Sequence, residues 1–262
     1  MKARNLNIYH KLPILDGLEW LDARGYTLNF PFHTHPTFNI TLIREQLFTT
    51  KVSGKILHAA AGHIVITNPG EVHATICDNQ AGSSFFTYYV PPDVLRSLNG
   101  NKPVYFEQKV IEDPFLFAAL SELAGNYNEH TEQKLSSILK KLVAGYAQPE
   151  ELATPHEKLF RKFMEETHAE KFSLEQTARQ FGLDKYKFLR LFKQQTGLTP
   201  NNYIILRRIE EAKVLLQTGE DLLGIAVSTG FCDTTHLCKH FKRMTGVSPL
   251  AYRNAILCNI IQ

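Results

Sequence analysis

Between residues 18 and 90 the hydrophobic positions come in short runs rich in β-branched and aromatic residues. The clearest runs cover residues 26–30, 38–43, 63–67 and 84–90. Turn-forming residues such as Asp16-Gly17 and Asn68-Pro69-Gly70 separate them. Short strands at regular spacing, without long helices between them, predict a β-sandwich or a small β-barrel.

Beyond residue 91 the hydrophobic period changes to that of helices. Asp113-Pro114 is typical of a helix start, with an N-cap followed by proline at the first helical position, and predicts a helix over 115–123. A second amphipathic segment covers 131–146. Its apolar stripe consists of Leu135, Ile138, Leu139, Leu142, Val143 and Tyr146. This stripe either packs on its own barrel or forms a dimer seam, and its position directly before a linker favours the seam.

The carboxyl-terminal part contains one pattern twice, at an offset of 49 positions. The first copy has Asp184, Phe192, Lys193, Thr196, Gly197, Pro200 and Tyr203. The second has Asp233, Phe241, Lys242, Thr245, Gly246, Pro249 and Tyr252. A repeat of this kind indicates a duplicated structural unit.

Each copy predicts a helix-turn-helix. In the first, Ser173 caps a support helix over 174–181, Gly182 supplies the turn, and Asp184 caps a second helix over 185–195, the candidate reader. The second copy repeats this with a support helix over 222–229 and a reader over 234–244. A long helix over 200–216 joins the copies. Readers that enter successive major grooves of one DNA face must lie about 34 Å apart.

Length and charge divide the chain in two. A chain of 262 residues exceeds the roughly 100–200 expected of one domain. Prolines and adjacent acids interrupt the helical period near residues 147–155, so we predict a sensing and dimerisation domain over 1–147, a linker over 148–155 and a DNA-binding domain over 156–262. Residues 171–253 carry 13 Lys and Arg against 7 Asp and Glu, whereas residues 1–155 carry 13 against 15. A basic module beside a near-neutral one indicates a polyanionic partner.

The sequence shows neither a secretion signal nor a membrane-spanning run. Its four cysteines, Cys77, Cys232, Cys238 and Cys258, are widely spaced and include no C-x-x-C pair. We therefore expect a cytoplasmic protein with reduced thiols.

The duplicated region carries motifs of a known family. In order, they are Phe188-Leu189-Arg190-Leu191-Phe192-Lys193, Thr196-Gly197-Leu198-Thr199-Pro200, Tyr203, Arg207 with Ala212, Gly230-Phe231, Phe241-Lys242, Gly246-Val247-Ser248-Pro249 and Tyr252-Arg253. Residues 173–253 thus resemble the DNA-binding domain of the AraC/XylS family of bacterial transcription regulators. The resemblance implies an α+β multidomain fold, with a cupin-like β-barrel and helical extension followed by an all-α domain. It also implies double-stranded DNA, a small-molecule effector, RNA polymerase and a second copy of the chain as partners.

The resemblance assigns base contacts to exposed positions early in each reader: Tyr186, Leu189, Arg190, Thr234, Thr235, Cys238 and Lys239. Phosphate contacts fall to Lys185, Lys187, Lys193, Lys242 and Arg243. Leu237 stands where the family commonly has an aromatic residue, and Cys238 and Lys239 are less typical readers. We therefore expect the second reader to be less selective than the first.

Three histidines are the candidate ligand-binding residues upstream. His33 and His35 share one face of a strand, and His73 follows the turn at Gly70. The surrounding residues 25–90 resemble the cupin-like sensor domain that precedes the DNA-binding domain in this family. Metal-binding cupins usually add a glutamate where this chain has Asn39. Three interpretations follow: the histidines line a pocket for a small polar ligand, they hold a divalent metal ion, or they are structural. We favour the polar ligand. We therefore expect neither a bound metal nor a cofactor.

Aromatic side chains are candidate walls for such a pocket: Phe30, Phe32, Phe38 and Tyr88. No nucleophile elbow, phosphate-binding glycine loop or spaced acid pair is present. We expect a regulator without catalytic activity; the alternative is a metal-dependent cupin enzyme fused to a DNA-binding domain.

Overall fold

The computed structural model describes residues 6–52, 54–77, 82–126, 128–148 and 172–257. The chain forms two compact units, one built mainly of residues up to 151 and one mainly of residues 152–254. The predicted linker beyond residue 148 and the predicted domain start at residue 156 lie outside the described residues. Among the helices described, none has the length and apolar character that crossing a bilayer requires.

The amino-terminal unit contains two β-sheets. Its strands are β1 Leu6–Lys11, β2 Glu19–Tyr26, β3 Phe30–His33, β4 Phe38–Glu45, β5 Phe48–Val52, β6 Lys55–Ala59, β7 Ile64–Thr67, β8 His73–Ile76, β9 Ser83–Val90 and β10 Val110–Ile111. One sheet has the order β1-β2-β9-β4-β7-β10 and the other β3-β8-β5-β6. The expected β-rich amino-terminal domain is confirmed, and it consists of two sheets. Strand β1 lies upstream of the predicted β region, and the run at 26–30 spans the turn between β2 and β3.

The central strands β9, β4 and β7 of the six-stranded sheet are buried on both faces, and the two faces differ in chemistry. Phe38, Ile40 and Leu42 of β4 belong to the apolar core shared with the helices, and we call their side the helix face. The alternating residues Asn39 and Thr41 are also buried, at 5% and 7% exposure, and define the barrel face. Residues paired across strands share a face, so the barrel face includes the buried hydroxyls of Thr67 and Thr87.

Three helices cover the helix face: α1 Pro92–Leu98, α2 Pro114–Leu123 and α3 Thr131–Tyr146. As predicted, Asp113 caps α2 by accepting the amide hydrogens of Phe115 and Leu116. In α3, Leu135, Leu139 and Leu142 are at most 1% exposed and lie in the same core as the sheet. The preference for a dimer seam along this stripe is therefore wrong, because the chain's own barrel already buries it.

The carboxyl-terminal unit is helical, as predicted. Its described helices are α4 Leu174–Gln180, α5 Lys185–Thr196, α6 Pro200–Leu215, α7 Leu222–Ser228, α8 Thr234–Thr245 and α9 Pro249–Leu257. The connecting helix α6 packs against α5, α7 and α8. Its inward positions Ile204, Ile209 and Ala212 are at most 2% exposed. This burial anchors both helix-turn-helix copies to one central helix.

Candidate functional site

The first reader helix, α5, is fixed at its start and along its inner side. The carboxylate of Asp184 accepts the amide hydrogens of Tyr186 and Lys187, each at 2.9 Å. Both hydrogen bonds lower the pKa of Asp184, and the bond from Lys187 has the larger effect. Phe188 and Phe192 are fully buried against α4 and α6. The helix therefore has one anchored side and one side that faces outward.

The outward side of α5 carries the predicted base-contacting residues. Tyr186 is 72% exposed, Arg190 is exposed, and Leu189 between them is half-buried. Exposed Tyr186 and Arg190 one turn apart form a surface that suits the edges of stacked base pairs. The predicted phosphate contacts Lys187 and Lys193 are exposed as well.

Lys185 differs from the other basic residues of α5. Its ammonium lies 3.2 Å from the Glu175 carboxylate of the support helix, and this hydrogen bond raises the pKa of Lys185. The same ammonium lies 5.3 Å from the ring centre of Tyr186. A phosphate contact by Lys185 therefore requires exchange of its glutamate partner.

The second reader helix, α8, is anchored in the same way but presents smaller side chains. Asp233 accepts the amide hydrogen of His236 at 2.7 Å. Leu237 and Phe241 are fully buried. Of the predicted contacts, Thr235, Lys239, Lys242 and Arg243 are exposed, whereas Thr234 and Cys238 are half-buried.

The second turn is one residue longer than the first, a difference that the constant offset of 49 does not show. Gly182 and Gly230 are 48 positions apart, while the caps Asp184 and Asp233 are 49 apart. The matching turn bonds, from the amides of Leu183 and Phe231, have the same form at 3.0 and 2.8 Å. The extra residue is therefore Cys232, directly before the cap, and it is exposed.

An aromatic and imidazole cluster supports this longer turn, and the sequence analysis missed it. The Phe231 ring lies 5.4 Å from that of His236 and 6.2 Å from that of His240. The guanidinium of Arg208, from α6, lies 5.9 Å from the centre of the Phe231 ring. Burial lowers the pKa of both Arg208 and His240. His236 and His240 are four positions apart, which is the sequence signal for a shared helix face.

The structure brings His33, His35 and His73 together. One ring nitrogen from each lies within 4.8 Å of the others. His33 ends β3 and His73 begins β8, and these are neighbouring strands of the four-stranded sheet. His33 is 4% and His73 is 7% exposed, and burial lowers the pKa of His73.

Hydrogen bonds orient two of these rings. Nδ1 of His33 lies 2.6 Å from the carbonyl oxygen of Pro31, and Nδ1 of His73 lies 3.0 Å from that of Glu71. The third ring, of His35, has its centre 5.4 Å from that of His73 and 5.3 Å from that of Tyr89. The cluster therefore has two backbone-oriented imidazoles and one held between rings.

Two of the four aromatic candidates for a pocket wall, Phe38 and Tyr88, lie on the other face of the sheet. Phe38 and Tyr88 are on the helix face, where the Tyr88 hydroxyl donates to the Leu120 carbonyl at 2.8 Å. Phe30 stacks on Tyr26, and Phe32 is 46% exposed. Strand alternation explains why Tyr88 is not a wall residue on the barrel face, because its neighbour Tyr89 shares that face with Asn39.

Comparison with known proteins assigns both units. The profile described as AraC-like ligand binding domain matches residues 17–144, and the profile described as Helix-turn-helix domain matches residues 177–255. The HTH-type transcriptional regulator YbfI of Bacillus subtilis is 30% identical over 232 residues, covering 82% of this chain and 83% of that protein. The transcriptional activator RhaS of Escherichia fergusonii is 38% identical over 92 residues, covering 35% of this chain and 33% of RhaS.

Solved structures with the same fold span both units. Wild-type ToxT of Vibrio cholerae with a bound unsaturated fatty acid superposes with a TM-score of 0.56 at 13% identity, over 97% of each chain. An apo form of a ToxT variant gives 0.58 at 12% identity, over 98% of each chain. At this identity the likeness concerns the fold.

Proposed function

This chain belongs to the AraC family of DNA-binding transcription regulators, and we propose that α5 and α8 read two neighbouring segments of one major-groove face. The observation that carries the proposal is the repeated reader: each copy has a capped helix, two fully buried anchors and an exposed, basic outer side. A helix so anchored can enter the groove without rearrangement of its support.

Sequence preference comes from the first two turns of each reader helix. Arg190 forms paired hydrogen bonds to the O6 and N7 acceptors of a guanine, while Leu189 packs on a thymine methyl group. Tyr186 stacks or reaches a phosphate. In α8, Thr234, Thr235, Cys238 and Lys239 make shorter or less directional contacts, so the second half of the site is read less strictly.

Affinity comes mainly from phosphate neutralisation. The residues in this role are Lys185, Lys187, Lys193, Lys242 and Arg243. Each phosphate contact releases condensed counterions, so binding weakens steeply as salt rises. Such contacts fix the register of the protein on the duplex and carry little sequence information.

The amino-terminal barrel binds the effector, a small polar molecule. The barrel face supports this choice, because its buried hydroxyls of Thr41 and Thr87, 3.0 Å apart, lie on the same face as Asn39. The proposed ligand-binding residues at this site are His33, His35 and His73. An effector changes DNA binding if it binds one arrangement of the protein more tightly than the other.

The remaining parts of the proposal concern partners and location. The chain acts in the cytoplasm as a homodimer, contacts RNA polymerase at its promoter, and has no catalytic activity of its own. The dimer surface lies outside the α3 stripe, which the barrel buries. Domain limits of 1–147 and 156–262, with a linker over 148–155, complete the proposal. Gln148, at the start of that linker, pairs with Tyr105 of the amino-terminal unit.

The test is selection of randomised double-stranded oligonucleotides by the full-length chain, followed by gel-shift titration of the selected site and its single-base variants. Arg190→Ala should cost about 1–3 kcal/mol at one base pair and leave the others unchanged. Lys242→Ala should weaken binding to all sequences alike and reduce the salt slope by about 1.

The matched control is Lys140→Ala, which removes one exposed lysine from α3 in the other unit and should leave DNA binding as in the wild type. Failure of the full-length chain to enrich any sequence would contradict the function. A uniform loss from Arg190→Ala would contradict only the role of Arg190.

A further inference from the structure

We propose that His33, His35 and His73 form a binding site for a divalent transition-metal ion of the zinc type. The three rings each bring one nitrogen within 4.8 Å of the others. Nitrogens bound to one tetrahedral zinc ion at about 2.0–2.1 Å lie roughly 3.4 Å apart, so small side-chain movements complete the site. Metal binding here does not depend on how the helical unit reads DNA.

The tautomers of two rings are set for metal binding. A carbonyl oxygen only accepts hydrogen bonds, so Nδ1 of His33, facing Pro31, and Nδ1 of His73, facing Glu71, each carry the proton. In a neutral imidazole the other nitrogen, Nε2, then holds the lone pair. Metal-bound histidines show this same arrangement, with the distal N–H donated to a carbonyl or carboxylate.

The loop that precedes His73 is hydrogen-bonded to the backbone of His35. The amide of Gly70 donates to the carbonyl oxygen of His35 at 2.8 Å, which joins the two backbones. The Glu71 carboxylate accepts the Asn68 amide at 3.0 Å and pairs with Lys109 at 2.8 Å, with both charged side chains almost buried.

Asn68 is fixed in turn. Its amide group exchanges two hydrogen bonds of 2.9 Å with the backbone of Phe106. A network of this kind keeps the ligands in place before the ion arrives, which reduces the entropy cost of binding.

The ligand chemistry selects the class of ion. Three neutral imidazoles suit zinc, copper, nickel and iron ions better than calcium or magnesium, which prefer oxygen. Three protein ligands leave a fourth tetrahedral position for water or for an oxygen atom of a bound molecule. Because the imidazoles add no negative charge, the ion keeps its full charge and favours an anionic or strongly polar fourth ligand.

The experiment uses the full-length chain, freed of metal by chelator. Zinc binding is measured by equilibrium dialysis with elemental analysis, and cobalt(II) serves as the visible-absorbance probe. The wild type should bind one ion per chain. His35→Gln should bind zinc about 100-fold more weakly or worse, since changes outside the ligand shell alone cost roughly 10–100-fold. The control His63→Gln removes a histidine outside the cluster and should bind as the wild type does.

His35 is half-buried, so its replacement disturbs the interior less than replacement of His33 or His73. A second variant separates ligation from packing: His35→Cys should retain zinc and add an intense thiolate-to-cobalt absorption. Absence of stoichiometric binding by the wild type, equal binding by His35→Gln, or a cobalt spectrum without the thiolate band in His35→Cys would each overturn the proposal. None of these measurements includes DNA, so they are independent of the proposed function.

Discussion

In both helix-turn-helix copies the reader helix has 12 residues, follows an aspartate cap and ends at a glycine in the left-handed conformation, with φ of 75° and 81°. In both, a threonine hydroxyl in the last turn donates back to a phenylalanine carbonyl at 2.8 Å. A tyrosine of the following helix then packs edge-on against that phenylalanine, at 5.9 and 5.4 Å. The two copies therefore share these interior contacts, although Leu237 takes the place of Phe188.

The outer sides differ. Tyr186, Leu189 and Arg190 of the first reader correspond to Thr235, Cys238 and Lys239 of the second. The second copy also has the longer turn, supported by Arg208 and Phe231. The fold constrains the buried positions that the two copies share, whereas the exposed positions differ between them.

The largest effect is expected from substitutions in the interior that the two helix-turn-helix copies share. Phe192→Ala and Phe241→Ala should each destabilise the protein by about 3–5 kcal/mol, because both rings are fully buried and their removal leaves a cavity. Urea unfolding followed by far-ultraviolet circular dichroism measures the loss. Gln194→Ala, at an exposed position of the same helix, is the control. A loss of unfolding free energy below about 1 kcal/mol in either copy would show that the phenylalanine ring contributes little to the stability of that copy.

The sequence predicted this interior well, for a physical reason. Asp184, Gly197 and Pro200 determine backbone geometry locally, and the helical period of phenylalanines determines the inner side. The same reasoning missed the added Cys232, because a constant offset of 49 hides a one-residue change inside the turn. It also missed the Arg208–Phe231 contact, which joins residues of different helices.

The barrel was harder to predict in detail. The histidine cluster was inferred from spacing, and the structure places the three rings together. Hydrophobic alternation does not distinguish Tyr88 from Tyr89, because β9 is buried on both faces. The choice of face depends on β9 pairing with β4, more than forty residues away in sequence. Periodicity identifies the apolar side of α3 without identifying what covers it, so the sequence alone does not distinguish a dimer seam from packing on the barrel.

The next largest effect is expected from substitutions on the outer sides of the two reader helices. Arg190→Lys should lose about 1–3 kcal/mol of discrimination at one base pair, since lysine lacks the planar fork that pairs with guanine. Lys239→Arg, at the equivalent position of α8, should increase discrimination in the second half of the site. Gel-shift titration against single-base variants of the selected site measures both. Equal discrimination by the wild type and Arg190→Lys would show that arginine and lysine at this position discriminate between bases equally well. The difference between Arg190 and Lys239 would then not make the first reader more selective.

A smaller effect is expected at the helix ends. Gly197→Ala should destabilise the protein by about 1 kcal/mol, because a Cβ atom is unfavourable at positive φ. Gly246→Ala should cost more, since this glycine is buried and the added methyl group also needs space. Gly197→Asn is the matched control and should cost less, because asparagine tolerates the left-handed region. Equal stability of the Ala and Asn variants in urea unfolding would contradict the conformational explanation.

The smallest expected effect concerns the charge of the first cap. The amide of Lys187, and then that of Tyr186, lower the pKa of Asp184 in the folded chain. A carboxyl group with a lowered folded pKa stabilises the protein above its unfolded pKa, near 3.9, and this contribution is lost as the pH falls through the folded value.

Asp184→Asn keeps a capping oxygen without the charge. The wild type should therefore be the more stable of the two at neutral pH, and the difference should shrink towards zero in acid. Thermal unfolding from neutral pH into the acid range below the folded pKa of Asp184 measures this convergence. Gln194→Ala, which changes no charge, should give a curve parallel to that of the wild type, and a gap between wild type and Asp184→Asn that persists in acid would assign the cap's effect to hydrogen-bond geometry instead of charge.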